Sequence, residues 1–317
     1  MKKLALIVAY FGKLPEWFPL FQLSLKYNSD IDLLLFTDNE IPSRDNLIVH
    51  KTTFAEMKEY IQSVFDFPIV LDSPYKLCDY KPAYGYIFGE YIKDYEFWGH
   101  CDIDMIFGEV LKKLTVDILN GHDKFYKHGH LGIYRNTKEN NLRFTSDKGL
   151  NYKSVFSSRV IKVFDEYEMQ KKFELMGVNS YISYDFADIT AWHENFRRAM
   201  PDDEEIQSDF NYEKQVFFWE NGKVFRAAIN RNGEIVYDEF IYIHFQKRKL
   251  PVLFDDLTPS AYYITKKGFY KKEEGMCVTP EIIELYNGLD KKAEKKTRRA
   301  RRAFIFKRRI RKYLFRK

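Results

Sequence analysis

Two apolar runs close to the N-terminus limit the folds open to this chain. Residues 4–10 read Leu-Ala-Leu-Ile-Val-Ala-Tyr, and residues 31–37 read Ile-Asp-Leu-Leu-Leu-Phe-Thr. Runs without regular polar alternation are the mark of strands covered on both faces, as in parallel sheets. Between them Pro15 opens a helical stretch reaching about residue 26, and proline suits a first helical turn. A short strand over 47–50 and a helix over 54–64 continue the pattern. Strand, helix and strand at this spacing predict an α/β fold with a mostly parallel central sheet flanked by helices.

Further along, the spacing predicts helices over 80–91, 107–116, 160–175 and 280–286, and strands over 97–101, 131–135, 223–228 and 240–245. Asn221-Gly222 forms the turn into 223–228. Residues 136–159 are polar and read as loop. There is no internal repeat and no linker before residue 290, so the expected division is one domain over 1–290 and a tail over 291–317.

Charge sets that tail apart. The 317 residues carry 51 Lys or Arg against 46 Asp or Glu. Residues 291–317 hold 15 of those cations and one acid, which leaves 36 cations and 45 acids for residues 1–290. An acidic body is a poor match for broad nucleic-acid binding, because it would face a phosphate backbone of like sign. Hydrophobic content of 45% excludes a disordered chain. Cys78, Cys101 and Cys277 are odd in number, widely spaced and free of Cys-x-x-Cys, which fits a reducing compartment. The first apolar run is short, lacks a small-residue cleavage pattern and leads into Lys13 and Pro15, so it reads as a strand and not a signal peptide. No run approaches the ~20 apolar residues needed to span a bilayer. The expected location is cytoplasmic.

The most informative stretch is Phe97-Trp98-Gly99-His100-Cys101-Asp102-Ile103-Asp104-Met105-Ile106-Phe107-Gly108. An apolar strand delivers two carboxylates at its C-terminal end, where open α/β sheets bind ligands. Acids at i and i+2 of an extended segment point the same way and can share one hard cation. Mg²⁺ or Mn²⁺ held there could neutralise a diphosphate leaving group. The alternative is a solvated strand end. His100, on the strand, reads as a packed core residue. The histidines at 122, 128 and 130 match no common zinc spacing, and His193-Glu194 lacks the second histidine of a metalloprotease helix. Gly-x-x-x-x-Gly-Lys and Gly-x-Gly-x-x-Gly loops are absent, which removes P-loop and dinucleotide-fold readings.

A strand-ending Asp102-Ile103-Asp104 in the first half of an α/β chain resembles the metal motif of GT-A-type nucleotide-sugar glycosyltransferases. More narrowly, Tyr75-Lys76-Leu77-Cys78-Asp79-Tyr80-Lys81-Pro82-Ala83, Trp98 to Asp104, Gly108, His130-Leu131-Gly132-Ile133-Tyr134-Arg135-Asn136 and Ile243-His244-Phe245-Gln246-Lys247-Arg248 resemble a bacterial family found with capsule and exopolysaccharide biosynthesis proteins. The resemblance covers about residues 1–250. It implies a GT-A-like domain in which Asp104 is the direct metal ligand, Asp102 touches metal or ribose, and His244 completes the Mn²⁺ or Mg²⁺ site. It implies nucleotide-sugar contacts from Ala9, Tyr10 and Phe11 at the end of the first strand, from Asp38, from Asp79 and Lys81 at a helix N-terminus, and from His130, Lys247 and Arg248. Asp79 and Lys81 read equally well as cap and surface charge.

Candidates for a catalytic carboxylate are Asp165, Glu166, Asp185 and Asp188, each of which also reads as a solvated charge. In the tail, Ala300, Ala303, Phe306, Ile310, Tyr313 and Leu314 fall on one side of a helix, with Lys and Arg opposite. Such a basic amphipathic helix suits the anionic inner face of a cell membrane; a solvated tail and a nucleic-acid arm are its alternatives. The expected function is therefore metal-dependent transfer of a sugar from a nucleotide diphosphate, UDP-linked, to a lipid-linked surface polysaccharide. Two alternatives stand beside it: a nucleotidyl- or phospho-transferase using the same carboxylates, and a non-catalytic nucleic-acid-binding protein using the tail.

Overall fold

The structure is a computed structural model that describes residues 2–189, 195–201, 211–246 and 248–287, together with 292–293, 295–296, 299–300, 302–303 and 306. The tail residues among these are helical. The rest of the amphipathic pattern, like His193, Glu194 and Lys247, lies outside the described residues. Contacts divide the chain into two compact units. One comprises Met1–Phe18, Leu25–Ile103 and Val110–Ser183, and the other Pro19–Ser24, Asp104–Glu109 and Tyr184–Lys317.

The first unit is built on a seven-stranded sheet. Its strands are β1 (Lys2–Tyr10), β2 (Ile31–Thr37), β3 (Leu47–Lys51), β4 (Tyr95–Cys101), β6 (Lys124–Phe125), β7 (Leu131–Arg135) and β8 (Ser180–Tyr181), in the order β3-β2-β1-β4-β7-β6-β8. The first four run parallel, and β7 is antiparallel to its neighbours β4 and β6. Every residue of β2 is buried, as its apolar run predicts. The helix Phe54–Val64 starts with a reciprocal capping box between Thr53 and Glu56, which satisfies two otherwise free amides. One face of the sheet packs Ile7, Leu34, Phe36 and Trp98 against Met57, Ile61, Phe156 and Phe173. Trp98 stacks on Tyr134 with centroids 4.5 Å apart. A Cβ at Gly85 would come within 2.3 Å of the Trp98 ring, so only glycine lets this backbone lie against it.

The second unit carries two further sheets. A small one runs β10 (Arg197–Arg198), β9 (Ala187–Asp188), β14 (Tyr242–His244) and β5 (Met105–Phe107). The other is antiparallel, ordered β13 (Ile235–Phe240), β12 (Lys223–Ile229), β11 (Gln215–Glu220), β15 (Ala261–Thr265) and β16 (Gly268–Lys271). Asn221 and Gly222 both have positive φ in the β11–β12 hairpin, which is the geometry an Asn-Gly pair favours. The helix Pro280–Asn287 covers this sheet, with Ile283 among Val216, Phe218, Ala227 and Tyr263.

Several expected elements differ from the observed ones. Residues 80–91 form no single helix: a 3₁₀ segment, Pro74–Ala83, is followed by two short turns, Tyr84–Ile87 and Gly89–Ile92. Pro82 removes an amide donor from the segment, and Gly85 and Gly89 weaken the two turns after it. Lys81 therefore sits in a last helical turn, not at a helix N-terminus. The predicted helix over 107–116 is the end of β5 followed by Val110–Lys113. The polar stretch 136–159 holds two short helices, Lys138–Leu142 and Tyr152–Phe156. Its polar residues are partly their caps, since Thr137 and Asn151 accept the amides of Asn140 and Ser154. Of 160–175 only Met169–Leu175 is regular α-helix.

Candidate metal and donor site

In the first unit, three charges meet below the end of β4. Lys81 Nζ donates to Asp102 Oδ1 at 2.6 Å, to the Gly129 carbonyl at 2.9 Å and to Asp165 Oδ2 at 3.1 Å. Asp165 and Lys81 are nearly enclosed, with side chains 5% and 11% exposed, whereas Asp102 is 38% exposed. Burial pushes the Asp165 carboxyl upward, and the Lys81 charge opposes that shift. Burial works against the Lys81 ammonium, but the two carboxylates outweigh it and hold the charged form well above its usual range. The Asp102 amide donates to the His130 carbonyl at 2.9 Å, which ties the carboxylate-bearing turn to the residue before β7. The His130 ring is buried and stacks on His128 at 5.3 Å.

Asp79 has a different setting. It is fully buried, receives Lys76 Nζ at 2.7 Å, and accepts the amides of Lys162 and Phe164 at 2.9 and 3.0 Å. Its carboxylate anchors the 160–164 loop and offers no face to a ligand. At the end of β1, Ala9 pairs with Phe36, the Tyr10 hydroxyl donates to the Lys13 carbonyl, and Phe11 packs edge-on against Phe54. Gly12, at φ 94°, donates its amide to Asp38 Oδ1 at 2.9 Å. Asn39 closes the same loop through the Gly12 carbonyl at 2.8 Å. Asp38 is exposed and organises this strand end.

In the second unit, β14 brings His244 beside Asp104 and Asp188. His244 Nε2 lies 3.5 Å from Asp104 Oδ1, and Nδ1 lies 3.1 Å from Asp188 Oδ1. The strand register accounts for both contacts: His244 pairs with Met105 on one side and with Asp188 on the other. The Phe245 amide donates to the Asp104 carbonyl at 3.0 Å. Gly108 is needed for this approach, because a Cβ there would sit 2.4 Å from the Phe240 carbonyl. Burial disfavours a charged His244 ring, but hydrogen bonds and charge from Asp104 and Asp188 prevail and raise its pKa to about 10. Asp185 lies 3.6 Å from Arg198. Arg248 donates to the Ile189 carbonyl. Glu166 is half-buried in the turn after Asp165.

Among the described residues, the one group of acidic and histidine side chains that could hold a metal is Asp102, Asp104 and His244. The donor set suits Mg²⁺ or Mn²⁺: carboxylate oxygens are hard ligands, and one imidazole is acceptable to Mn²⁺. With Nδ1 engaged by Asp188, Nε2 is the nitrogen that faces Asp104, and it could join Asp104 on a cation only by giving up its proton. Sequence reasoning placed Asp188 among catalytic candidates and did not foresee its pairing with His244. Nor did it foresee the Lys81–Asp165 pair. Both depend on long-range register and leave no local pattern.

No curated protein matches the sequence. Among solved structures, the galactosyltransferase LgtC in complex with donor and acceptor sugar analogues is similar over 58% of this chain and 75% of its own, at 12% identity and a TM-score of 0.37. Mouse xyloside xylosyltransferase 1 in its apo form is similar over 60% of this chain and 88% of its own, at 10% identity and a TM-score of 0.39. The model of DUF6625, a family of unknown function, matches residues 6–273, and the chain belongs to that family.

Proposed function

We propose that the protein is a divalent-cation-dependent glycosyltransferase of GT-A type. It moves a sugar from a nucleotide diphosphate donor, UDP-linked, to a lipid-linked surface polysaccharide. The observation that carries this reading is His244, held through Nδ1 by Asp188 with Nε2 turned toward Asp104, two residues from Asp102. Bound Mn²⁺ or Mg²⁺ would neutralise the diphosphate as it leaves. Asp104 and His244 hold the cation, and Asp102 contributes an oxygen to cation or ribose. The strand end formed by Ala9, Tyr10 and Phe11, with Asp38 beneath its loop, receives the nucleoside. Lys247 and Arg248, which follow His244 in the sequence, supply positive charge of the kind that suits a diphosphate. His130 flanks the donor. Asp185 and Glu166 remain the carboxylates that could face an acceptor hydroxyl.

Among the described residues no helix is long and apolar enough to cross a membrane. The basic tail supplies the membrane contact in this reading, placing the enzyme on the inner face of the cell membrane beside a lipid-linked acceptor. The decisive experiment is transfer or donor hydrolysis with a panel of nucleotide sugars, with and without Mn²⁺. Release of a nucleoside diphosphate supports the proposal. Pyrophosphate as product would make the protein a nucleotidyltransferase. Flotation with anionic liposomes, lost on removing residues 291–317, tests the membrane contact; tail-dependent RNA binding without flotation would overturn it.

A further inference from the structure

Asp165 has the features of a built position. The turn that carries it begins at Val163, a β-branched residue held at φ 54°, in the left-handed region. Such a conformation is costly for valine and persists only where its surroundings over-determine it. They do so here. The buried Asp79 carboxylate takes the amides on either side of Val163, those of Lys162 and Phe164, while Lys76 caps the Val160 carbonyl from below. Phe164 is fully buried. On the opposite side, Gly129 makes room: a Cβ there would lie 2.6 Å from Asp165 Oδ2. The result is one carboxylate, almost without solvent contact, 3.1 Å from an ammonium that also grips Asp102.

We infer that Asp165 is a positioning residue, the fixed counter-charge that allows Lys81 to orient Asp102 without repelling a cation. This rests on the cation-dependent reading above. Lys81 occupies Oδ1 of Asp102 and so fixes the carboxylate's rotation, which leaves Oδ2 to face a ligand. Alone, however, the ammonium would cancel the charge of the carboxylate it holds, and Asp102 would offer a dication nothing. With Asp165 present, the three groups sum to one negative charge, the same as a free aspartate, but in a fixed orientation. Asp165 is then enclosed by design and does not meet substrate.

The test is Mn²⁺ titration of the full-length protein, read by the electron paramagnetic resonance signal of free Mn²⁺. Asp165→Asn adds one positive charge to the trio and is expected to weaken Mn²⁺ binding about tenfold. Lys81→Met/Asp165→Asn restores the charge and is expected to bind Mn²⁺ within about threefold of wild type, while kcat stays low because Asp102 has lost its partner. If Asp165→Asn does not fold, the double variant, which buries no unpaired charge, carries the test: near-native Mn²⁺ affinity supports the inference, and a tenfold loss overturns it. Mn²⁺ affinity unchanged in Asp165→Asn, with transfer abolished, would make Asp165 a reacting group and overturn the inference alone. Wild-type protein that binds no Mn²⁺ would overturn the cation-dependent reading and this inference together.

Discussion

Lys76 and Lys81 lie five residues apart on one 3₁₀ segment, each bound to aspartate, and they serve different ends. The Lys76–Asp79 pair is 3% and 0% exposed, and every acceptor around it is internal. It ties chain to chain. The Lys81 group is closed at Asp165 and open at Asp102, where more than a third of the side chain meets solvent. It ties the interior to a surface. Burial of charge alone therefore does not separate the two groups; the single exposed member does. An enclosed pair adds rigidity at the cost of desolvation, whereas a half-open one can present an oriented charge to a ligand.

The contrast can be broken from its closed end first. Lys76→Met strands a buried carboxylate and is expected to cost about 3–5 kcal/mol in urea unfolding. Its effect on Mn²⁺ affinity is expected to be small once the protein is folded. Asp104→Ala is the opposite case. Transfer should fall at least about a hundredfold, roughly 2.7 kcal/mol in the barrier, with the unfolding midpoint little changed. Full metal-dependent activity in that variant would show that the site is misassigned. Gly129→Ala should lie between the two, since the new methyl must displace the Asp165 carboxylate. A loss of about 1–3 kcal/mol in stability is expected, with weaker Mn²⁺ binding, measured on the same preparation.

The effect that is smallest per pH unit concerns another buried lysine. Lys124 donates to the Gln170 side chain at 2.9 Å and to the Tyr126 carbonyl, and burial lowers its pKa to about 7 despite the pull of Glu174. Below pH 7 both folded and unfolded chains hold this proton, and the burial penalty is fully felt. Between pH 7 and the unfolded value of 10.5 the unfolded chain binds more protons, so stability rises with pH. Comparison with Lys124→Met isolates the term, expected at about 1 kcal/mol per pH unit just above 7. A flat difference curve would show that Lys124 stays charged when buried.

The central strands of the first unit were legible because they are largely buried, and β2 and β7 fall where the apolar runs lie. The antiparallel sheet was only partly so. Lys223–Ile229 announces itself through Asn221-Gly222, the turn that also ends Gln215–Glu220, but Gly268–Lys271 carries no comparable turn signal. Residues 80–91 looked helical because their apolar side chains fall on one side, and only Pro82 and the two glycines hinted otherwise. For the site, Asp102 and Asp104 were visible as neighbours on one strand end. Asp188 and Asp165 were visible only as acids among acids. Their partners, His244 and Lys81, are brought to them by strand register and by a strained turn, neither of which is written locally.

The strand after Asp104 has a consequence for the making of the protein. Among the described residues, β5 has one ladder partner, β14, which ends on His244. A ribosome releases the carboxylates early and the imidazole late, so a partly synthesised chain can complete the parallel sheet while β5 still lacks its edge. The contacts of His244 with Asp104 and Asp188 can form only after residue 244 has been made, and chains that stop short of it should lack them.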